Sequence, residues 1–154
     1  ILTDPALNDL LVANTHQYQP SKYRLQRLYE GIDVVQKSSG CLFSTFLGQG
    51  AWFRHVANIE GTEFPVDQID EKYLFFSRDL PRSDRNDDGS YWSWTSSPTV
   101  MTSDMHRGYV VADGWDEFHF TRGATVTVDL DGPTLQLLTF RSTIYDRVAH
   151  WIGQ

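Results

Sequence analysis

The sequence predicts a mainly β fold: a single-domain antiparallel β-sandwich of the jelly-roll type, or a barrel. Short runs of β-branched and aromatic residues recur between turn signals, alternating β–α units are absent, and the aromatic share is 14%. The 154 residues suit one domain over 1–154. Because the first residue is Ile1 and not Met, we expect the domain to be excised from a longer chain.

The N-terminal segment is predicted to be a short helix over residues 5–13. Asp4 can cap free backbone N–H groups, and Pro5 suits a first helical turn. The apolar residues after it recur at helical spacing: Ala6, Leu7, Leu10 and Leu11. A second, C-terminal helix is expected where apolar residues again recur at this spacing: Ile144, Val148 and Trp151.

Strands are predicted wherever an apolar or alternating run lies between residues typical of turns. These runs are 23–29, 32–36, 42–47, 52–59, 73–76, 91–95, 109–111, 117–121, 125–130 and 134–140. The run 73–76 is apolar on both faces, which indicates a strand inside a sheet. The runs 125–130 and 134–140 flank Asp-Gly-Pro and are predicted to form a hairpin.

The overall charge and the cysteine count exclude several classes of protein. The formal net charge is −7, from 13 Lys and Arg against 20 Asp and Glu, so the surface repels phosphate backbones and nucleic acid is excluded as a partner. No apolar run reaches the roughly 18 residues of a membrane span, so we expect no membrane insertion. Cys41 is the only cysteine and is expected to be a buried thiol.

We expect a soluble protein, with the extracellular space or a virion surface as candidate locations.

An acidic loop between two predicted strands resembles half of a calcium site. Asp84, Asn86 and Asp88, followed by Gly89, repeat the spacing of the first ligands of an EF-hand loop. The twelfth position is Thr95 where that motif needs Glu, and no helical pattern flanks the loop, so an EF-hand is excluded. Two interpretations remain: a calcium loop between strands with these three ligands, or a solvated turn.

Aromatic residues follow the acidic loop directly. Trp92 and Trp94 are expected on one face of a strand, with Tyr91 on the other. A tryptophan pair at this spacing could form a platform for a sugar ring or a partner's apolar side chain, or could belong to the core. Together with Trp115, these residues are the predicted ligand-binding set.

A second group of titratable residues lies between positions 104 and 119. If the protein is an enzyme, His106 with Asp104, or His119 with Glu117, could act in acid–base catalysis. The spacing matches no established catalytic motif, and no Gly-rich phosphate loop before a helix is apparent. The alternative is a set of solvated polar side chains on a sheet and its loops.

Three functions are compatible with these patterns. We favour a non-catalytic recognition domain without a cofactor, which binds a glycan or a protein receptor, as in a lectin-like module or a projecting domain of a viral capsid. The second is a small β-fold enzyme that uses the histidines and carboxylates above. The third is a structural assembly domain whose exposed aromatic residues form contacts in a homo-oligomer.

Overall fold

The computed structural model describes residues 4–50, 52 and 71–133, and within them ten strands form two antiparallel sheets. The strands are β1 (Asp9–Asn14), β2 (Ser21–Arg27), β3 (Ile32–Ser38), β4 (Cys41–Ser44), β5 (Tyr73–Ser77), β6 (Trp92–Thr95), β7 (Thr99–Ser103), β8 (Arg107–Ala112), β9 (Phe118–Thr121) and β10 (Thr125–Val128). The mainly β, antiparallel fold predicted from the sequence is confirmed. Within these residues no helix has the length and apolar character needed to cross a membrane.

The six-stranded sheet has the order β6-β5-β4-β1-β8-β9, and the four-stranded sheet the order β10-β7-β2-β3. β1 lies near the middle of the larger sheet, where Leu11 is opposite Leu42 of β4 and Val111 of β8. β5 lies between β4 and β6. The prediction that residues 73–76 form an internal strand is therefore confirmed.

The main core lies between the two sheets. The four-stranded sheet contributes Tyr23, Leu25, Met101 and Val126, and the six-stranded sheet contributes Val12, Phe43, Phe75, Val110 and Phe120. Cys41 is fully buried in the same cluster, and burial raises the pKa of its thiol to about 12. The thiol is therefore a protonated core group at physiological pH, as the sequence predicts.

Two buried tyrosines link the sheets by hydrogen bonds. The Tyr23 hydroxyl of β2 lies 2.7 Å from the Ser77 Oγ of β5 and 2.8 Å from the Ser38 Oγ, and it donates to the Gln36 Oε1 at 3.1 Å. In the opposite direction, the Tyr73 hydroxyl of β5 lies 2.7 Å from the Thr99 Oγ1 of β7. Burial raises the pKa of Tyr23 far above its ordinary range and that of Tyr73 to about 12. Both phenols therefore remain neutral at physiological pH.

The predicted N-terminal helix is wrong, because β1 occupies residues 9–14. Leu10 and Val12 face the main core, while Leu11 and Ala13 pack on the opposite side of the sheet. A short apolar run buried on both faces satisfies a strand as well as a helix, so its spacing alone could not separate the two.

Other sequence predictions have mixed outcomes. β7 was not predicted, and it pairs with β10. The strand predicted over 52–59 is wrong at Trp52, which is helical, and residues 53–59 lie outside the described residues. The strand 134–140 and the C-terminal helix also lie outside them.

We expect Tyr23→Phe to lower the free energy of unfolding by about 1–3 kcal/mol, because the Ser38 and Ser77 hydroxyls lose a buried partner. Urea unfolding followed by tryptophan fluorescence would measure this loss. Tyr29→Phe is the matched control, since the Tyr29 side chain is 88% exposed. Equal stability of the two variants would show that the hydroxyl does not link the sheets.

Candidate functional site

The six-stranded sheet carries a second apolar cluster on the side that points away from the four-stranded sheet, which we call the outer face. Its buried members are Leu11, Ala13, Leu42, Leu74 and Phe76, and partly buried aromatic residues pack against them: Tyr91, Trp92, Trp94 and Tyr109. Such a face presents several ring surfaces to the outside of the sheet. Aromatic rings at this depth can stack on a planar ligand without being wholly withdrawn into the core.

Three of the four aromatic residues singled out in the sequence meet on the outer face. Trp92 and Trp94 share it because they are opposite Phe76 and Leu74 of β5. The expectation that Tyr91 points to the other side is wrong: its ring centroid lies 5.4 Å from that of Phe76. Tyr91 precedes β6, so strand alternation does not apply to it. Trp115 is separate, 82% exposed in the turn between β8 and β9.

A cation–π pair adjoins this aromatic cluster. Arg78 directly follows β5, and its positive charge acts on Tyr109 of the outer face. Its guanidinium carbon lies 5.4 Å from the centroid of the Trp52 ring, and Trp52 is 37% exposed. The Arg78 backbone is fixed, because its N–H donates to the Gly40 carbonyl and its own carbonyl accepts from the Ser39 N–H, both at 2.8 Å. Trp52 and Arg78 were not identified from the sequence.

Small residues separate Arg78 from the next aromatic ring across the sheet. The Gly40 carbonyl accepts the hydrogen bond from Arg78, and Ala13 of β1 packs beside Gly40. Tyr109 of β8 is opposite Ala13 in the sheet. Gly40 has φ +109°, and an added Cβ would lie 2.6 Å from the Val12 carbonyl oxygen and 2.8 Å from the Ala13 Cβ. A larger residue at position 40 is therefore excluded both by the backbone conformation and by the neighbouring strand.

Tyr109 connects this row to the titratable residues predicted between positions 104 and 119. Its ring centroid lies 6.5 Å from that of His119, which is opposite it on β9. Burial raises the pKa of the Tyr109 phenol, the charge of Glu117 adds to the increase, and the positive charge of Arg78 opposes it. The phenol is thus a neutral hydrogen-bond donor within electrostatic range of the Arg78 guanidinium.

The structure divides the proposed acid–base residues into two groups. The His119 Nε2 lies 3.2 Å from the Glu117 Oε2, so this pair forms as the sequence suggested. Asp104 instead forms a salt bridge with Arg122 at 3.0 Å, and its backbone N–H donates to the Lys22 carbonyl. His106 is exposed in the turn before β8.

The acidic loop is organised by local hydrogen bonds. Asp88 accepts from the Ser90 N–H at 2.8 Å, and hydrogen bonding with Ser90 lowers the pKa of its carboxyl. Asp84 accepts from the Ser83 hydroxyl at 2.7 Å, and Asn86 is exposed. Within residues 4–50, 52 and 71–133, no three His, Cys, Asp or Glu side chains converge on a common point where a metal ion could bind.

A buried arginine anchors the end of this loop. The Arg27 side chain has no exposed surface; its guanidinium lies 3.0 Å from Glu30, hydrogen-bonds Ser93 and the Gly89 carbonyl, and stacks 4.7 Å from the Phe75 centroid. Burial lowers its pKa, and the charge of Glu30 opposes that shift. The loop therefore has a fixed attachment to the core.

A glycine-containing turn leads from β4 to Trp52. Leu47–Gly50 forms a 3-10 turn, and Gly48 packs so closely on the Asn8 backbone that an added Cβ would overlap it. Thr45 holds the start of the turn, because its N–H donates to the Asn8 carbonyl at 2.9 Å. The sequence alone indicates only a break between the predicted strands 42–47 and 52–59. Two glycines followed by an aromatic residue are the signal that could have identified it.

The Asn8 segment is itself held by Asp113. The Asp113 carboxylate accepts from the backbone N–H groups of Leu7, Asn8 and Asp9 at 2.6, 2.7 and 3.0 Å. Asp113 has φ +50°, a conformation that Asp tolerates better than most residues. One carboxylate therefore positions the segment on which the glycine turn rests.

Comparison with known proteins assigns the fold. No protein-family model and no curated protein sequence matches the chain. An NAD kinase from Archaeoglobus fulgidus, solved in complex with ATP, has a TM-score of 0.58 at 16% identity, and the match covers 80% of this chain and 45% of that chain. A yeast NADH kinase complexed with NADH has a TM-score of 0.60 at 14% identity, over 86% of this chain and 36% of that chain.

The chain shares their fold. It spans less than half of the length of either kinase. The predicted non-catalytic recognition domain is wrong, because the similar structures are nucleotide kinases and not lectins, receptor-binding modules or capsid domains. The same finding contradicts the predicted glycan or protein partner, since those kinases were solved with ATP and NADH. It also contradicts the cofactor prediction, which was no cofactor or, as an option, calcium. The suggested virion or extracellular location loses its basis with the capsid interpretation.

We expect Asp113→Ala to lower the free energy of unfolding by about 2 kcal/mol, because three backbone N–H groups lose a charged acceptor. Hydrogen exchange at Leu7 and Asn8 should accelerate, and Asp113→Asn should fall between wild type and Asp113→Ala. Asp116→Ala, in the same turn and exposed, is the control. Unchanged exchange at Leu7 and Asn8 would show that the carboxylate does not hold the segment.

We expect Asp9→Asn to raise the melting temperature at pH 7. Burial, and then the charge of Asp113, raise the pKa of the Asp9 carboxyl, so its ionised form is less stable in the folded than in the unfolded chain. As the pH falls through the raised pKa towards the ordinary value of about 3.9, wild type takes up the proton and the difference should vanish. Thermal unfolding of both proteins between pH 7 and pH 4 measures this, and a difference that grows on acidification would contradict the assignment.

Proposed function

We propose that this chain binds an adenine nucleotide, ATP or NAD(H), as one domain of a larger NAD(H)-kinase-like enzyme. The observation that carries the proposal is the fold. It matches two kinases over 80% and 86% of this chain, and one of them was solved with ATP and the other with NADH. Under this proposal the domain supplies nucleotide binding, and transfer of a phosphoryl group from ATP to a hydroxyl of the dinucleotide belongs to the whole protein.

The chemistry of the outer face supports this proposal. Adenine and nicotinamide rings stack on aromatic side chains, and Trp52 is a partly exposed ring beside Arg78. A guanidinium beside such a ring offers a cationic donor to a phosphate, and Arg78 occupies that position. Arg85, whose guanidinium carbon lies 4.9 Å from the Tyr91 centroid, adds a second positive charge.

The acidic composition makes this local charge important. A net charge of −7 opposes the approach of a polyanion in general. Binding of a nucleotide, which has few phosphates, then depends on particular arginines and on ring stacking. This separates a nucleotide site from a nucleic-acid surface, which needs a continuous basic stripe.

The proposal is tested by titrating the chain with ATP, NAD and NADH and measuring heat release. We expect at least one of these nucleotides to bind, and Trp52→Ala to raise its Kd roughly tenfold or more, because one stacking surface is lost. Trp115→Ala is the matched control, since Trp115 is exposed in a separate turn, and it should leave the Kd unchanged.

Absence of binding by all three nucleotides to folded wild-type protein would refute the proposed function. Equal Kd values for Trp52→Ala and wild type would refute the role given to Trp52. Circular dichroism and the melting temperature of each variant confirm that binding is compared between folded proteins.

A further inference from the structure

We propose that Arg78 forms a phosphate-binding subsite beside Trp52, in which the Arg78 guanidinium holds a ligand phosphate while the Trp52 ring contacts the base. This inference rests on the proposed nucleotide-binding function and names the group that would recognise the phosphate.

Arg78 has donor capacity that the described part of the chain does not use. Its Nε atom is buried and has no acceptor among these residues, and no described carboxylate forms a salt bridge with its guanidinium. A buried donor without an acceptor costs free energy, and a phosphate oxygen would remove that cost while pairing with the positive charge. The fixed backbone and the Trp52 ring limit the positions that the guanidinium can adopt.

The neighbours of Arg78 on the side towards Tyr109 have small side chains. Gly40 and Ala13 carry little or no side chain, and they lie between Arg78 and Tyr109 in the row across β5, β4, β1 and β8. The Tyr109 phenol, whose pKa is raised by burial, remains protonated and can donate a hydrogen bond. A phosphate bound by Arg78 would therefore lie near a neutral donor as well as a cation, since the charge of Arg78 already acts on the Tyr109 phenol.

The other arginines within residues 4–50, 52 and 71–133 do not offer the same combination. Three are already paired with carboxylates: Arg24 with Asp33, Arg27 with Glu30 and Arg122 with Asp104. The Arg85 Nε donates to the Leu80 carbonyl at 2.8 Å. Arg27 also has a buried Nε without an acceptor in the described residues, but its side chain is fully enclosed. Arg82 and Arg107 are exposed, so among the described arginines only Arg78 combines a buried, unbonded Nε with a side chain that is not fully enclosed.

The test compares Arg78→Gln with wild type in calorimetric titrations of three probes: ATP, pyrophosphate and adenosine. We expect Arg78→Gln to raise the Kd of ATP and of pyrophosphate roughly tenfold or more, because a charged hydrogen bond is lost, and to change that of adenosine less than about twofold. Arg78→Lys keeps the positive charge without the planar donors, so its Kd for ATP and pyrophosphate should lie between those of wild type and Arg78→Gln. Arg122→Gln, which removes an exposed arginine of a separate ion pair, should behave as wild type.

The outcomes separate this inference from the proposed function. If wild type binds ATP and Arg78→Gln binds it equally well, the subsite is refuted while nucleotide binding stands. If Arg78→Gln weakens adenosine as much as ATP, Arg78 supports the ring and not the phosphate, which also overturns the inference. If wild type binds neither ATP nor a dinucleotide, the proposed function is refuted, and the Arg78 subsite is refuted with it. Should Arg78→Gln not fold, the same comparison is made with Arg78→Lys, and an unchanged Kd for ATP and pyrophosphate overturns the subsite.

Discussion

Burial of the six-stranded sheet on both faces is the constraint on which the rest of the structure depends. β1 shows it most directly, because Leu10 and Val12 face the core between the sheets while Leu11 and Ala13 face outward into a second apolar cluster. The four-stranded sheet covers the first side. On the second side the covering groups are large aromatic rings, which are only partly buried.

Much of the β architecture follows from local sequence patterns, and the exceptions have physical reasons. Alternation and turn residues are sufficient to predict β2, β3, β8 and β9. They fail at β1, since four consecutive apolar residues fit either a helix or a two-sided strand. They also miss β7, because the residue types of Thr99–Ser103 do not alternate between apolar and polar even though their burial does. This strand is stabilised by pairing on both edges, with β2 and β10.

The candidate site was less predictable than the fold because distant segments form it. Trp92 and Trp94 could be placed on one face from their spacing alone. Trp52 and Arg78 become neighbours only after β4 and β5 pair. The lack of space for a side chain at position 40 likewise arises only because Ala13 packs beside Gly40. The net charge of −7 argued against phosphate ligands because it describes the whole surface and not the surroundings of one guanidinium.

The position of β1 has a consequence for how the chain reaches this structure. Val12 pairs with Val110, so about 100 residues must be available before the central strand can acquire its second neighbour. Until then one edge of β1 has unpaired N–H and C=O groups beside apolar side chains, which is the type of surface on which chains associate with one another. We therefore expect this chain to fold slowly for its size and to be prone to association while it folds. The Asp113 carboxylate can accept from the Leu7, Asn8 and Asp9 N–H groups only once β8 has formed.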